Sequence, residues 1–339
     1  MDNMESTRNK LIKLLAENKE NYISGQVLSE KLSISRAAVW KHMKELEKDG
    51  YQIEGKSKKG YRILAFPDKL SENTIQWGLD TSWLGKTVVH KEVTTSTQHV
   101  AHQLAQEQAL HGTIVVADEQ TKGKGRMDHA WHSTKHKGIW MSVILRPAIL
   151  PYLAPQLTLL AATVLADVLK TYQITPQIKW PNDLLLNGRK TAGILTEMQA
   201  EQDTIQYVVI GIGMNVNQSH DDLPADIQDK ATSLFLETKQ RWNTRKLIQN
   251  LLRTFEAAYD DYILNGFPDV KRKWESYGFK IGQPIRLKTM KTTYDAIFMG
   301  IAEDGALLIN TGDGEVKKLY SAEIDWFSEQ RRKHPFRDV

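Results

Sequence analysis

Apolar positions recur along this chain with two periods, and the switches between them divide it into regions. Over 8–16 (RNKLIKLLA), Leu11, Ile12, Leu14 and Leu15 stand at helical spacing. Val27, Leu28 and Leu32 share one face of a second helix that opens after Ser24-Gly25, with Ser24 as N-cap. A third helix opens at Ser35 and reads RAAVWKHMKELEKDG, with Gly50 at the C′ position. About three residues join the second and third helices, which is helix-turn-helix spacing. In the third helix Val39, Met43 and Leu46 recur toward a core, while Arg36, Trp40 and Lys44 recur on another face beside Ala37 and Lys41. YQIE and YRIL then alternate as two short strands around GKSKKG, a hairpin wing carrying Lys56, Lys58 and Lys59. Phe66-Pro67-Asp68 reads as a linker.

Residues 71–270 alternate the two periods. Strands are predicted at 86–91, 113–118, 138–145, 177–179, 183–186, 191–199 and 204–212. Helices are predicted at 72–79, 97–109, 153–172, 244–264 and 268–275. The closeness of 191–199 to 204–212 predicts a hairpin, so the sheet is mixed α+β rather than purely parallel. From 277 to 327 the period is strand-like throughout (PIRLKT, YDAIFMGI, GALLIN, VKKLY, EIDWF), which predicts a small barrel. The expected domains are 1–66, 67–273 and 274–327, followed by a basic tail, 328–339, expected to be disordered.

Composition narrows the chemistry. With no cysteine among 339 residues, disulfides, thiol nucleophiles and Cys-ligated metal sites are excluded. No apolar run approaches the roughly 20 residues of a membrane span. The start, MDNMESTRNK, has no apolar h-region. A cytoplasmic protein without membrane association is expected. The formal charge is +4, but residues 1–66 alone hold 13 Lys/Arg against 9 Asp/Glu, whereas 67–330 hold 28 against 31. A basic first module on a mildly acidic body suggests an anionic partner for that module. Ser35, Arg36, Ala37, Trp40, Lys41 and Lys44 on the helix, with Lys58 and Lys59 in the wing, are the candidate DNA contacts. Trp40 reads either as an exposed ring for thymine methyls or as a ring packed on the first helix.

Three polar segments interrupt the central region. Gln120 to Trp131 (QTKGKGRMDHAW) places two glycines among Lys122, Lys124 and Arg126, which suits a phosphate or a solvated turn. It lacks the G-x-x-x-x-G-K-[ST] spacing of a Walker loop. Lys179 to Ile194 (KWPNDLLLNGRKTAGI) sets Asn182 and Asp183 at a tight turn, as site residues or as turn formers. Asn187-Gly188 predicts a hairpin that brings Lys190 back beside them. Gly211 to Asn217 (GIGMNVN) ends an apolar strand with glycines that allow close backbone approach.

GKGRMDHAW, KWPNDLLLNGRKTAGIL and GIGMNVN, in this order and spacing, resemble the bacterial biotin–protein ligases. With the winged module ahead, the chain is similar to the bifunctional subgroup that is both ligase and biotin operon repressor. The resemblance implies a winged helix-turn-helix, a central mixed α/β domain of the biotin/lipoate ligase type and an SH3-like C-terminal barrel. It implies that biotin and ATP with Mg2+ form biotinyl-5′-AMP, which acylates a lysine of a biotin carboxyl carrier protein of acetyl-CoA or pyruvate carboxylase. It further implies repression at an operator by a homodimer, with biotinyl-5′-AMP as corepressor.

By the same resemblance Lys190 holds the biotin carboxyl and α-phosphate oxygens, Arg126 helps retain the adenylate, and Asp183 orients or deprotonates the incoming amine. Ser96, Thr97, Gln98, Gln120, Lys124, Gly125 and Gly193 join Lys190 and Arg126 around biotin. Gly123, Lys124, Gly125, Arg126, Trp131, Asn182 and Asn215 serve the adenylate, the first three in a loop that folds over it. No metal site is implied beyond Mg2+ carried by ATP. Lys124 stands at a usual arginine, Met127-Asp128-His129 replace a more basic stretch, and Gln98 replaces a common Asn. These departures bear on adenylate retention. A DNA-binding biotin sensor without ligase activity and a lipoate-ligase-like enzyme are the alternatives.

Overall fold

The computed structural model describes residues 7–67, 69–288, 293–312 and 314–326. The chain divides into two compact units, Met1–Asp80 and Thr81–Val339. The basic tail lies outside the described residues.

The first unit holds α1 (Thr7–Glu17), α2 (Gly25–Leu32), α3 (Arg36–Lys48), β1 (Gln52–Lys56), β2 (Gly60–Ala65) and α4 (Glu72–Gln76). Ser24 and Ser35 cap α2 and α3, each side chain accepting a backbone N–H at 3.1 Å. Leu11, Leu15, Leu28, Val39, Met43, Leu46 and Ile63 form the core. Residues at i, i+4 and i+7 of α3 meet there because they share one helix face. The β1–β2 hairpin is pinned to the residue before the α2 cap: Ile23 and Tyr61 exchange two backbone hydrogen bonds of 2.9 Å. That approach needs Gly60, where a Cβ would fall 2.1 Å from Ile23 O. Phe66, at the start of the expected linker, is buried and stacks on Trp77 at 4.1 Å.

The second unit continues with β3 (Val88–Thr94), α5 (Thr97–Gln106), β4 (Ile114–Lys124), β5 (Ala130–Ser133), β6 (Gly138–Leu145), α6 (Ala154–Thr171), β7 (Gln177–Lys179), β8 (Asp183–Leu186), β9 (Arg189–Glu201), β10 (Thr204–Asn215), α7 (Leu234–Thr238), α8 (Thr244–Asn265) and α9 (Pro268–Tyr277). The sheet order is β3-β4-β6-β10-β9-β8-β7, with β5 pairing β4. Only β3 and β4 are parallel; the other described pairs are antiparallel, as a mixed sheet requires. α5 packs through Ala101 and Ala105 on the face bearing Val115, Ile144 and Val209. Strand alternation puts Thr196 on the opposite face, where it bonds Thr158 of α6 at 2.8 Å. The stretch 151–171 meets the length and composition of a membrane span, against the expectation of no such run, and most of it is buried. It is the core helix beneath β9, covered by α8 and α9.

Last come β11 (Pro284–Lys288), β12 (Thr293–Ile301), β13 (Leu307–Asn310), β14 (Val316–Leu319) and β15 (Glu323–Asp325). They form an antiparallel sheet in the order β14-β13-β12-β11-β15. A β14–β15 pairing that would close a barrel is not among the described ones. This sheet is fastened to the body by Trp180, whose indole donates to Gly305 O at 3.2 Å, and by Gln156, which donates to Glu303 O at 2.7 Å.

Candidate active site

The Asn187-Gly188 turn forms as expected, with φ of 49° and 76°. These two left-handed residues make the tight reversal that joins β8 to β9. Lys190 therefore lies opposite Leu185, and its backbone is fixed from outside by Lys230 O and Thr232 N, both at 2.8 Å. Its ammonium reaches Asp183 Oδ1 at 2.6 Å, while Lys179 holds Oδ2 at 3.1 Å. Burial pushes the Asp183 carboxyl up, but the two ammonium groups outweigh it and hold it below the usual carboxylate range. Lys190 Nζ also stands 5.3 Å from the Trp131 ring centre, within cation–π range.

These groups open onto a cavity of about 550 Å³. One end is a polar cluster at the start of α5. Thr97 N donates to Gln120 Oε1 at 2.8 Å, and Gln120 Nε2 donates to Ser133 at 2.9 Å. Ser142 Oγ lies 2.9 Å from Thr97 Oγ1 and donates to Gln98 Oε1 at 3.1 Å. Gln98, Thr97 and Ser96 are all buried. Ser96 caps α5. The opposite wall is glycine for steric reasons. A Cβ on Gly211 would lie 2.5 Å from Gln98 Oε1, and one on Gly213 would lie 2.5 Å from the Trp131 ring. A Cβ on Gly193 would press Lys190 and Trp131 at 3.1 Å. A cleft with hydrogen-bond donors and acceptors at one end and the charged groups Lys124, Arg126, Asp183 and Lys190 along its lining suits a small ligand with a polar head and an anionic group.

The segment expected as a loop is more ordered than its composition implies. β4 continues through Lys124, with Gly123 opposite Trp131 and Lys124 opposite Ala130. Gly123 is required because its Cβ would meet Trp131 O at 2.5 Å. Gly125 N bonds His129 O at 2.7 Å and closes a turn over Arg126–Asp128. Arg126 reaches back to Asn182 Oδ1 at 3.4 Å. Burial lowers its pKa, with the Asp183 carboxylate opposing that shift. Asn182 spends its own amide on Ile194 O at 2.7 Å.

The structure thus gathers Ser96, Thr97, Gln98, Gln120, Lys124, Gly125, Arg126, Trp131, Asn182, Asp183, Lys190 and Gly193 around one cavity. Gly123 and Asn215 are not in its lining. Asn215 donates to Thr232 O at 3.0 Å and accepts from Gln218 at 2.9 Å, which fixes the turn after β10. Sequence reading missed Ser133 and Ser142, and it passed over Lys179. It also missed Ser321 and Ala322, which bring the C-terminal sheet to the cavity lip. Ser142 carries a sequence signal, a lone hydroxyl in the apolar strand IWMSVIL. The Trp131 indole N–H is buried and finds no hydrogen-bond partner among the described residues. Among the described residues no cluster of three or more His, Asp or Glu could hold a metal ion.

A separate face lies in the first unit. Trp40 is 56% exposed and stands outside the packed core of this unit. With Arg36, Ala37, Lys56 and Lys58 it lines a concavity between α3 and the β1–β2 turn. Glu54 accepts hydrogen bonds from Tyr22 and Arg62 and pairs with Lys56 at 3.3 Å. These contacts, led by Tyr22, hold the Glu54 carboxyl down at about 2. Lys44 pairs with Glu47 at 2.7 Å. Lys41 and Lys59 stand outside the concavity.

Residues 91–215 match the biotin/lipoate A/B protein ligase family, 7–62 an HTH domain and 280–326 the biotin protein ligase C terminal domain. The chain is 48% identical over 324 residues to the bifunctional ligase/repressor BirA of Bacillus spizizenii, covering 95% of this chain and 99% of that protein. It is 28% identical over 323 residues to the Escherichia coli protein of that name, covering 95% and 98%. Among solved structures, the biotin protein ligase from Aquifex aeolicus in complex with biotin and ATP aligns with a TM-score of 0.62 at 29% identity. It covers 71% of this chain and 98% of that one.

Proposed function

The chain belongs to the family of bifunctional biotin–protein ligase/repressors, and from that premise we propose how its own residues divide the work. It ligates biotin to protein using ATP, and it is a DNA-binding repressor. In the first step a biotin carboxylate oxygen attacks the α-phosphorus of ATP, and the bond to pyrophosphate breaks. Two anions must meet, so fixed positive charge is required. Lys190 supplies it from a strand rather than a loop, and Arg126 supplies a second charge from the turn above. The observation that carries this reading is the Lys190 ammonium, 2.6 Å from buried Asp183 at the edge of the cavity. Mg2+ carried by ATP would supply further charge neutralisation at its phosphates.

In the second step the neutral amine of a carrier lysine attacks the acyl carbon, the carbon–oxygen bond to AMP breaks with its electron pair leaving on the AMP phosphate, and the proton shed by the nitrogen passes to water. Asp183 orients this amine rather than deprotonating it, because its carboxylate is already paired with the Lys190 and Lys179 ammonium groups, which hold it below its ordinary range and weaken it as a base. Thr97, Gln98 and Gln120, with Ser142 behind them, take the ureido head of biotin. Lys124, Gly125 and Trp131 cover the acyl phosphate, and Asn182 holds Arg126 in place. Gly123 and Asn215 act by shaping the strand ends.

Arg36, Trp40 and Lys58 contact operator DNA, with Ser35, Ala37, Lys41, Lys44 and Lys59 beside them. Two half-sites call for a homodimer, formed through the central sheet and favoured by biotinyl-5′-AMP. The acceptor is a carrier domain of acetyl-CoA or pyruvate carboxylase, and the compartment is the cytoplasm.

The test is incubation with biotin, ATP, Mg2+ and a carrier domain. Biotin-dependent pyrophosphate release and an acceptor mass gain of one biotinyl group are expected. Their absence would sink the ligase assignment. Sedimentation with and without biotinyl-5′-AMP checks the repressor half, and an unchanged monomer–dimer equilibrium would refute the corepressor role.

A further inference from the structure

Gln98 and His102 stand one turn apart on α5 and so share a face. Glu197, on β9, lies between them. Gln98 Nε2 donates to Glu197 Oε2 at 2.9 Å and to Val209 O at 3.2 Å. His102 Nε2 approaches the same Oε2 at 3.1 Å. The other imidazole nitrogen lies 3.3 Å from the Tyr207 hydroxyl, and the two rings meet edge-on at 5.6 Å. Arg146 lies over Tyr207, 6.0 Å from its ring centre. Neither His102 nor Glu197 lines the cavity.

The chemistry of the three groups sets their polarity. The hydrogen bond from His102 holds the Glu197 carboxyl below its usual range. Burial opposes this, while Gln98 and the nearby charge of Lys124 support it. An ionised carboxylate only accepts, so both nitrogens facing it must carry hydrogen. His102 is therefore protonated at Nε2, leaving Nδ1 to face the Tyr207 hydroxyl. Gln98 must present Nε2 to Glu197, which turns Oε1 toward Ser142 and the bare Cα of Gly211. Ser142 uses one lone pair of Oε1. The other remains for a ligand N–H.

We infer that His102 and Glu197 are positioning residues that lock the Gln98 amide as a hydrogen-bond acceptor toward the ligand's head. They thereby select a cyclic urea or similar N–H donor over a ring that offers only acceptors. This rests on the cavity being the biotin site. The longer Gln98, in place of Asn, reaches across to β9 for this support.

The test uses the full-length protein and steady-state pyrophosphate release. His102→Leu should raise the biotin KM about fivefold, with kcat changed less than about twofold. His102→Gln keeps a donor toward Glu197 and should recover most of the loss. Gln98→Ala should raise the KM about tenfold or more, and the double variant His102→Leu/Gln98→Ala should be no worse than Gln98→Ala alone. Effects that multiply in the double variant would overturn the inference, as would an unchanged biotin KM in either single variant. Equal KM values for His102→Gln and His102→Leu would also overturn it, by showing that packing alone is involved. A wild-type protein with no biotin-dependent pyrophosphate release would remove the parent reading along with this one, so the two failures are distinguishable.

Discussion

Lys190 and Lys44 each stand within a few tenths of an ångström of the same distance from a carboxylate, 2.6 Å from Asp183 and 2.7 Å from Glu47. Their surroundings differ. The Asp183 side chain is 11% exposed, whereas Lys44 and Glu47 are 50% and 36% exposed. The first pair is poorly screened, and it is held by strand backbone, by Lys179 and by Trp131. The second is a surface i,i+3 pair worth a few tenths of a kcal/mol. The comparison extends to the two faces. The cavity holds a few cations in place before any ligand arrives, which is what stabilising developing charge requires. The α3–wing face spreads its cations in water; in the proposed DNA complex they would exchange counterions for phosphates, and binding would strengthen at low salt.

The sharpest test removes the cavity cation. Lys190→Ala should lower adenylate formation by about 10²- to 10³-fold. Ligand-free operator affinity, read by a gel-shift titration, should stay within about twofold. A parallel loss of DNA binding would show that the two faces are not energetically separate.

Asp183→Asn should cost about 2 kcal/mol in urea unfolding, a figure reduced for the partial exposure of the lysines. The folded Asp183 pKa lies below its ordinary 3.8, so this contribution is present above that value and lost as pH falls through the folded one. The gap between wild type and variant should therefore be flat from neutral pH down to the carboxylate range, and then close. A gap that widened on acidification would contradict the electrostatic account.

Gly213→Ala forces the Trp131 ring to move, since the new Cβ would start 2.5 Å from it. Overpacking of this kind costs about 1–3 kcal/mol, so ligand affinity by calorimetry should fall about tenfold or more. Arg36→Ala should weaken operator binding about tenfold and reduce the log–log salt slope by about one, with biotinylation unchanged. That last outcome is the mirror of the first, and together they test the division of labour from both sides.

Much of this was legible in the sequence because its signals are local. The period of Val39, Met43 and Leu46, the caps at Ser24 and Ser35, and the Asn187-Gly188 reversal each follow from neighbours within a few residues. The strands of the second unit also read closely, since apolar runs there are bounded by turns. What was missed depends on distant partners. QTKGK reads as a loop, yet it is strand because β5 supplies a ladder to it. His102 looks like a polar residue on an amphipathic helix until β9 and β10 bring Glu197 and Tyr207 to it. Ser321 and Ala322 carry no motif, and only the docking of the C-terminal sheet makes them part of the cavity.

The order in which the walls arrive during synthesis has its own consequence. The core of the first unit is complete within 80 residues, from Leu11 to Trp77. The cavity draws on stretches from Ser96 to Ala322, and its central strands β6 and β10 pair residues as far apart as Gly138 and Asn215. Non-local pairing forms slowly, and a nascent chain leaves the ribosome at roughly 5–20 residues per second. The DNA reader is thus finished first and the enzyme last. A message cut short anywhere between these points yields the helix-turn-helix unit without the central sheet through which the proposed dimer forms, so such a fragment would meet one half-site at a time and bind weakly.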